Sequence, residues 1–382
     1  MKSVQRRTVI ASALGLVGFA KPVFSQEVLR IGVVASLTGP ASYIGEDMRA
    51  TAELLRDQIN ASGGINGRKI ETITYDDASD PTKAVIAIRR LHDQDRVLAV
   101  VGPAISGNAL AAIPTSEAAK VVQIVPGASG KVSNPVKRYV YQSCNTDVQS
   151  IALALGFLKE RKVTKVAMLS DSTGYGVSGK EELERQAKGG GFQLVAMETF
   201  GPTDTDMTAQ LVRIKASGAQ AVLVWNATPT GAIVVKNFRQ IGLDAIQIHS
   251  TAFQSTRLLA LAGDAADGVY VTGHKLAIAD RLPASDPQKK VITEYIDAFT
   301  KRFGRAPTIF GALTQDGLTM LLKVMQEGAS SREAIRDALE NISSHVGAAG
   351  MYKMSPTDHN GFLVESMRML RIEKGGFSPA SR

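Results

Sequence analysis

The sequence predicts an α/β protein built from two doubly wound parallel sheets, and three observations lead to this prediction. Its 382 residues exceed what one hydrophobic core usually serves, so two domains are expected. Short runs of valine, isoleucine, leucine and alanine, typical of strands buried on both faces, alternate with helical segments. This βα alternation occurs in two series, the first ending near Tyr141 and the second beginning near Asp147.

Nine segments of the chain have the composition of buried strands. They are Val28–Ser36, Lys69–Tyr75, Val97–Val101, Val121–Val125, Lys165–Leu169, Gln193–Thr199, Ala221–Trp225, Ala245–His249 and Gly268–Thr272. Helices are predicted between them, at Gly45–Asn60, Pro81–Asp93, Val148–Glu160, Ser178–Lys188 and Thr230–Ile241. Because right-handed crossovers place the loops that follow such strands along one rim, those loops are where a binding site is expected.

The pattern changes in the last hundred residues. From Asp286 onward it is mainly helical, with helices predicted over Pro287–Phe303, Thr308–Gln326 and Arg332–Glu340. A strand is predicted over Leu363–Ile372. No Pro/Gly/Ser-rich linker separates the two series of βα units, which favours short, strand-like crossings between the domains.

The first 25 residues read as a secretory signal. Lys2, Arg6 and Arg7 precede an apolar run over Val9–Ala20, which is shorter than the roughly 20 residues needed to span a bilayer. Small residues then predict cleavage before Gln26. The arginine pair resembles a twin-arginine signal, and an ordinary general-secretion signal is the alternative. Either route predicts a periplasmic protein.

Charge and motif content narrow the function classes. Of the net charge of +8, four positive charges lie in the first 25 residues, so the rest carries only +4, which gives little support for nucleic acid binding. The single cysteine, Cys144, allows no intrachain disulfide. Gly174–Lys180 has the spacing of a phosphate loop, but Glu181 stands where Ser or Thr is needed. The five histidines lack metal-ligand spacing, so neither a metal nor another cofactor is expected.

Two glycine-containing loops have the chemistry of a carboxylate site. Gly102–Gly107 follows a predicted strand and opens a helix, and Pro126–Gly130 follows the next strand. Backbone N–H groups at a helix start, together with the hydroxyls of Ser106 and Ser129, suit a carboxylate. The alternative for each loop is a turn with a helix cap and no ligand.

Five segments carry a resemblance to a known family. They are IGVVASLTGPASYIG (Ile31–Gly45), NASGGINGRKIE (Asn60–Glu71), VVGPAISGNALA (Val100–Ala111), DSTGYGVSG (Asp171–Gly179) and MSPTDHNGF (Met354–Phe362). Together they resemble the type I periplasmic binding proteins, in the branch of the leucine/isoleucine/valine receptors. The resemblance implies a monomeric receptor without enzymatic activity, which passes a small molecule to ABC permease subunits in the inner membrane. A sensory ligand-binding subunit is the alternative role.

The resemblance also implies a discontinuous layout. One lobe would hold residues 26–142 and 275–352, and the other would hold residues 143–274 and 353–382. Three crossings near Ser143, His274 and Met354 would form the hinge. Closure of such lobes over a solute buries most of the solute's surface.

The family's ligand site maps onto eight positions. They are Tyr43, Ser106, Ala128, Ser129, Tyr175, Thr228, Thr251 and Phe310. Ser106, Ala128 and Ser129 match the loops that hold the ligand's carboxylate. Tyr175 matches an aromatic residue that covers the ligand, with an exposed loop position as the alternative. Tyr43 and Phe310 lie in matching wall segments, with core packing as the alternative.

The position that holds the ligand's ammonium group in amino acid receptors is neutral here. Alignment through Ile241–Leu243 puts Thr251 where an acidic residue is expected, and Thr228 stands where a tyrosine is frequent. An unpaired buried ammonium is costly, so the sequence predicts a small carboxylate without a required amine, such as an aromatic acid. Asp171 or another acidic residue could supply the missing charge, so branched-chain amino acids are the alternative ligands.

Overall fold

Two sheets organise the protein, whose residues 28–380 are described by a computed structural model. The first sheet has five strands in the order β2-β1-β3-β4-β5, and all its pairs are parallel. Its strands are β1 (Leu29–Ala35), β2 (Ile70–Asp76), β3 (Ala99–Val101), β4 (Val122–Val125) and β5 (Val140–Gln142).

The second sheet has seven strands in the order β14-β13-β10-β9-β8-β6-β7. Its strands are β6 (Lys165–Asp171), β7 (Gln193–Phe200), β8 (Ala221–Trp225), β9 (Ile246–His249), β10 (Tyr270–His274), β13 (Met367–Glu373) and β14 (Gly376–Pro379). Strands β6 to β10 are parallel, whereas β13 and β14 are antiparallel additions at one edge. A short hairpin of β11 (His345–Val346) and β12 (Met351–Tyr352) stands apart from both sheets.

Eleven helices of the described part connect and cover these strands. They are α1 (Ser42–Ala61), α2 (Pro81–Asp93), α3 (Ser106–Ala119), α4 (Asp147–Glu160), α5 (Gly174–Gly190), α6 (Thr208–Ala216), α7 (Thr230–Gln240), α8 (Thr256–Ala262), α9 (Lys289–Phe303), α10 (Ile309–Gln326) and α11 (Arg332–Glu340). Helices α9 and α10 pack on α1, beside the first sheet. This two-lobe α/β architecture confirms the predicted fold class.

The strands are buried on both faces, as their composition predicts. Every residue of β8 has zero exposure, and so does β4, which includes the polar Gln123. The Gln123 amide nitrogen donates to the Gly102 carbonyl at 3.1 Å, and its oxygen accepts the Ser116 hydroxyl at 2.7 Å. A polar side chain is therefore compatible with this strand because both ends of its amide are satisfied.

Most predicted element boundaries lie within about three residues of the observed ones, with a few larger differences and several short elements that were not predicted. Helix α5 begins at Gly174, four residues before the predicted start, because the Thr173 hydroxyl caps it by accepting the Gly176 N–H. Helix α6 was not predicted. The predicted strand over Leu363–Ile372 begins at Met367, after a 3₁₀ turn.

The chain passes between the two sheets three times. It does so between β5 and β6, between β10 and α9, and between β12 and β13. The His274 ring joins the first two crossings to the β11–β12 hairpin: its Nδ1 lies 2.8 Å from the Ala349 carbonyl and its Nε2 lies 2.7 Å from Asn145 Oδ1. Burial lowers the His274 pKa to about 4, so this ring is neutral at pH 7.

Two negative findings apply to residues 28–380. None of the helices there is long and apolar enough to cross a membrane. No group of three or more His, Cys, Asp or Glu side chains there is arranged to hold a metal ion. The predicted signal segment and its cleavage point before Gln26 lie outside the described residues.

Candidate functional site

A cavity lies between the two lobes, where loops that follow strands of both sheets meet. Its wall is formed by Ile44, Ala104, Ile105, Ser106, Pro126, Gly127, Ala128, Cys144, Tyr175, Ala227, Thr251, Ala252, Ile309, Phe310 and Leu313. The free space within it is about 30 Å³, which holds only one or two water molecules. The lobes are therefore closed in this structure.

Five of the eight predicted site residues lie on the cavity wall. They are Ser106, Ala128, Tyr175, Thr251 and Phe310. Tyr43, Ser129 and Thr228 do not line it, and each uses its hydroxyl elsewhere.

Helix α3 presents its first turn to the cavity through Ser106. The residue before it, Ile105, provides no side-chain cap, and the first turn holds no acidic residue. The Ser106 hydroxyl oxygen accepts the Ser129 N–H at 3.2 Å, so its proton stays available to a ligand. An uncapped helix start beside a hydroxyl donor attracts an anion.

The Ser129 hydroxyl forms a contact between lobes and does not face the cavity. It lies 2.8 Å from the Ser178 hydroxyl on α5, and Ser178 in turn donates to the Asp147 carboxylate. Asp147 also accepts the Gly130 N–H at 2.9 Å. The sequence predicted Ser129 as a direct ligand contact, whereas this geometry makes it part of the closed interface.

The hydroxyls of Tyr43 and Thr228 likewise form contacts outside the cavity. The Tyr43 hydroxyl donates to the Ala227 carbonyl across the cleft at 3.1 Å, and its ring packs edge-on against Phe310 with centroids 5.8 Å apart. The Thr228 hydroxyl lies 2.5 Å from that of Thr230, within its own loop. Both residues therefore support residues that line the cavity and do not line it themselves.

Tyr175 covers the cavity from the second lobe. It lies in the first turn of α5, is 4% exposed, and packs 5.8 Å from the Trp225 ring. Its hydroxyl has no hydrogen-bond partner of normal geometry among residues 28–380. The neighbouring Ser250 hydroxyl donates to the Asn226 carbonyl instead. Burial raises the Tyr175 pKa well above its usual value, so this group is a neutral donor.

Thr251 links the wall to the crossings. Its hydroxyl lies 3.4 Å from the Asn145 amide nitrogen and 3.3 Å from the Ser150 hydroxyl. Asn145 contacts the His274 ring, as described above. A ligand that touches Thr251 therefore touches a hydrogen-bond network that joins the first two crossings.

The described residues on the cavity wall include no Asp, Glu, Lys or Arg. Two buried carboxylates lie at the start of α4 and the end of β6, and both have partners. Asp147 is held by Gly130 and Ser178, and Asp171 accepts the N–H and hydroxyl of Thr173 at 3.1 and 2.5 Å. Burial raises the pKa of both carboxyls. The polar character of the wall thus comes from hydroxyl and peptide groups.

Sequence reasoning missed several wall residues, among them Cys144, Ile309 and Leu313. Leu313 lies one helical turn after Phe310, so the i, i+3 spacing on α10 could have identified it. Cys144 lies on the first crossing, and burial raises the pKa of its thiol far above the usual range. The Cys144 sulfur is therefore an apolar part of the cavity wall and is not a reactive thiolate.

Comparison with known proteins places this architecture in a family. A family model described as "Periplasmic binding protein" matches residues 28–376. The leucine-, isoleucine-, valine-, threonine- and alanine-binding protein of Pseudomonas aeruginosa is 28% identical over 341 residues, which is 88% of this chain and 89% of that protein. An amino acid binding protein from the same species is 30% identical over 265 residues, 69% of this chain and 70% of its own length.

Solved structures agree with this match. An extracellular ligand-binding receptor from Rhodopseudomonas palustris HaA2 superposes with a TM-score of 0.87 at 26% identity, covering 93% of this chain and 100% of that one. A branched-chain amino acid transporter substrate binding protein from Streptococcus pneumoniae, solved with isoleucine, shares the fold with a TM-score of 0.82 at 24% identity, covering 93% and 99%. The chain therefore belongs to the periplasmic binding protein family, a family of solute-binding receptors.

Proposed function

We propose that this protein is the exported receptor of an ABC importer and that it binds a small carboxylate for which an amine is not required, aromatic acids included. The observation that carries the proposal is the composition of the cavity wall. The first turn of α3 and the Ser106 hydroxyl offer donors to an anion, whereas no described wall residue is acidic.

The physical argument concerns the ammonium group. A buried ammonium without a carboxylate partner costs several kcal/mol, and Thr251 contributes only a hydroxyl at the position aligned with the acidic residue of amino acid receptors. The amine-free acid avoids this cost and keeps the carboxylate contacts. The apolar wall residues Ile44, Ile309 and Phe310 suit an aliphatic or aromatic remainder.

Branched-chain amino acids are the second candidate ligands. The names of the relatives favour them, since the Pseudomonas aeruginosa proteins are described as binding amino acids. Neither Asp147 nor Asp171 lines the cavity in this structure, so one of them would have to approach it to meet an ammonium group. The two classes of ligand are therefore separable by experiment.

Closure of the lobes supports the transport role, together with the family to which the chain belongs. A cavity of about 30 Å³ admits a solute only when the lobes separate, and the lobes then close over it by rotation about the crossings, without chemistry. We propose the crossings near Ser143, His274 and Met354 as the hinge and residues 26–142 with 275–352 as one lobe. The closed form would be presented to the permease in the periplasm, after export by the twin-arginine or general route.

A thermal-shift screen tests the ligand class with probes that share one carbon skeleton. Leucine, 4-methyl-2-oxopentanoate and 4-methylpentanoate differ only at the carbon next to the carboxylate, and benzoate adds the aromatic case. A ligand at 100 times its Kd stabilises the protein by about 2.7 kcal/mol. We expect stabilisation by an amine-free acid. Strong stabilisation by leucine alone would contradict the amine-free ligand and would favour branched-chain amino acids.

A matched pair of variants sharpens the screen. Thr251→Asp restores a carboxylate on the wall, and Thr251→Asn has the same size without the charge. We expect Thr251→Asp to weaken binding of 4-methylpentanoate by at least tenfold and to improve leucine relative to it, because like charges repel and opposite charges attract. Thr251→Asn should change neither preference. Equal behaviour of the two variants would contradict the electrostatic argument.

A further inference from the structure

A stripe of three buried side chains on α1 faces the start of α10. Tyr43, Asp47 and Thr51 follow one another at a spacing of four residues, so they lie on one face of α1. The Tyr43 ring packs against Phe310, and a Cβ at Gly311 would lie 3.0 Å from the Thr51 hydroxyl oxygen. The stripe therefore contacts the first turn of α10 closely on both sides of Asp47.

Asp47 is the charged member of this stripe, and it holds both ends of the loop between α9 and α10. Its Oδ2 accepts the Thr308 N–H at 2.6 Å, and its Oδ1 forms an ion pair with the Arg305 guanidinium. The Asp47 side chain is 2% exposed, whereas that of Arg305 is 45% exposed. The carboxylate therefore fixes this loop from the buried side.

The start of α10 depends on this contact, because its own sequence supplies no cap. Thr308 is the N-cap residue, but its side chain forms no capping hydrogen bond, and the first turn holds no acidic residue. The Thr308 hydroxyl has no partner among the described residues. A carboxylate that accepts the N–H of the N-cap residue stabilises a helix start, both by this bond and by its charge near the positive end of the helix. Asp47 supplies that carboxylate from α1.

The segment held in this way carries part of the apolar wall of the cavity. Ile309 and Phe310 open α10, Leu313 lies one turn later, and all three line the cavity. Asp47 does not line it, so an effect of Asp47 on a ligand must act through these side chains. A shift of α10 would change the apolar contact area and leave Ser106, on α3, where it is.

We propose that Asp47 is a positioning residue that sets the receptor's preference for ligands with a long apolar part. This inference rests on the receptor function proposed above, but it applies whether or not the ligand carries an amine. Apolar contact stabilises in proportion to the area that it buries. A ligand that reaches α10 therefore gains affinity from the fixed position of Phe310 and its neighbours, whereas a short ligand gains little.

The test compares Asp47→Asn with Glu53→Gln in the full-length mature protein. Both substitutions remove a carboxylate of α1 that pairs with an arginine, but Glu53 pairs with Arg49 on the same helix and is partly exposed. Asparagine can still accept the Thr308 N–H, whereas its NH2 group cannot pair with a guanidinium. Calorimetry gives affinities for two matched pairs of probes, propanoate with 4-methylpentanoate and alanine with leucine. Within each pair, an isobutyl group replaces a methyl group.

The affinity ratio of the long probe to the short probe is the decisive quantity, because a purely structural role of Asp47 would not change it. We expect the wild type to favour the long probe. Asp47→Asn should lower the ratio by about fivefold or more, comparable to the loss of one buried methylene group, with the short probe changed by less than about twofold. Glu53→Gln should keep the wild-type ratio. Arg305→Gln removes the same ion pair from the exposed side and should shift the ratio in the same direction, which keeps the test valid if Asp47→Asn does not fold.

The possible failures are distinguishable. Equal weakening of both probes, or a lower melting temperature with an unchanged ratio, would overturn the positioning role and leave the receptor function intact. Binding of the amino acid pair alone would overturn only the amine-free ligand. A wild-type protein that binds none of the four probes would overturn the length preference, and absence of benzoate binding as well would overturn the proposed ligand class too.

Discussion

Asp316 on α10 anchors the segment that leads into the third crossing, and its replacement by asparagine is predicted to destabilise the fold in a pH-dependent way. The carboxylate is fully buried and accepts the N–H groups of Ala348, Ala349 and Gly350 at 2.6, 3.0 and 2.9 Å. It also lies 3.0 Å from the Tyr352 hydroxyl. Three N–H donors thus depend on these two oxygens, whereas the Tyr352 hydroxyl also has the Ser143 carbonyl as an acceptor, at 2.9 Å.

The expected loss of unfolding free energy follows from the number of hydrogen-bond acceptors that the substitution removes. Asparagine keeps one oxygen, which best replaces the oxygen shared by Ala349, Gly350 and Tyr352. Its NH2 group then faces the Ala348 N–H, which loses its acceptor. A buried donor left unsatisfied costs about 1–3 kcal/mol, so Asp316→Asn should lower the free energy of unfolding by that amount at pH 5.

The effect of pH has a definite sign. Burial raises the Asp316 pKa from 3.8 to about 7, so between these values the folded state binds the proton and the unfolded state does not. The folded protein therefore loses stability as pH rises from about 4 to about 7, and the loss levels off above 7, where both states have released the proton. This amounts to about 2–3 kcal/mol between pH 5 and pH 8. The asparagine variant lacks this titration, so its deficit relative to the wild type should nearly vanish at pH 8.

Urea unfolding followed by circular dichroism at pH 5 and pH 8 measures both quantities. Asp297→Asn is the control, because Asp297 is an exposed residue on α9 and its substitution should change stability by less than about 0.5 kcal/mol. The reasoning is refuted if Asp316→Asn is as stable as the control at pH 5, or if its deficit is the same at both pH values.

Three further predictions concern closure and export. Ser178→Ala removes the hydroxyl that meets Ser129 across the cleft and that donates to the buried Asp147 carboxylate, so it should weaken ligand binding several-fold and also lower the ligand-free melting temperature; unchanged affinity by calorimetry would show that the contact with Ser129 does not stabilise closure. Lys131→Gln breaks the interlobe ion pair with Glu181, whose side chains are both about half exposed, so solvent screening should limit the affinity change to less than about threefold; a larger, salt-dependent loss would contradict this. N-terminal sequencing of periplasmic protein should find Gln26 as the first residue, and retention of the preceding segment would contradict cleavage there.

The sequence was most informative where the physical signal is local. Apolar runs such as Ala221–Trp225 identified strands, because burial on both faces leaves a mark on composition. The start of α2 was found to the residue, since Pro81 follows Asp80, whose carboxylate caps the Lys83 N–H. The start of α5 was not found, because the capping Thr173 lies in a segment also compatible with a loop.

In the candidate site too, local sequence signals identified some residues and missed the contacts between distant segments. Ser106 and Tyr175 could be identified from their loops and the family resemblance, and both line the cavity. The contacts of Ser129 could not, because Ser178 is 49 residues away in sequence and no pattern within either segment encodes their meeting. Chain composition and spacing thus determined the strands, the helices and the rim where a ligand would lie. Only the tertiary structure decided which hydroxyls face the cavity and which join the lobes, because that choice depends on how two separately folded sheets approach each other.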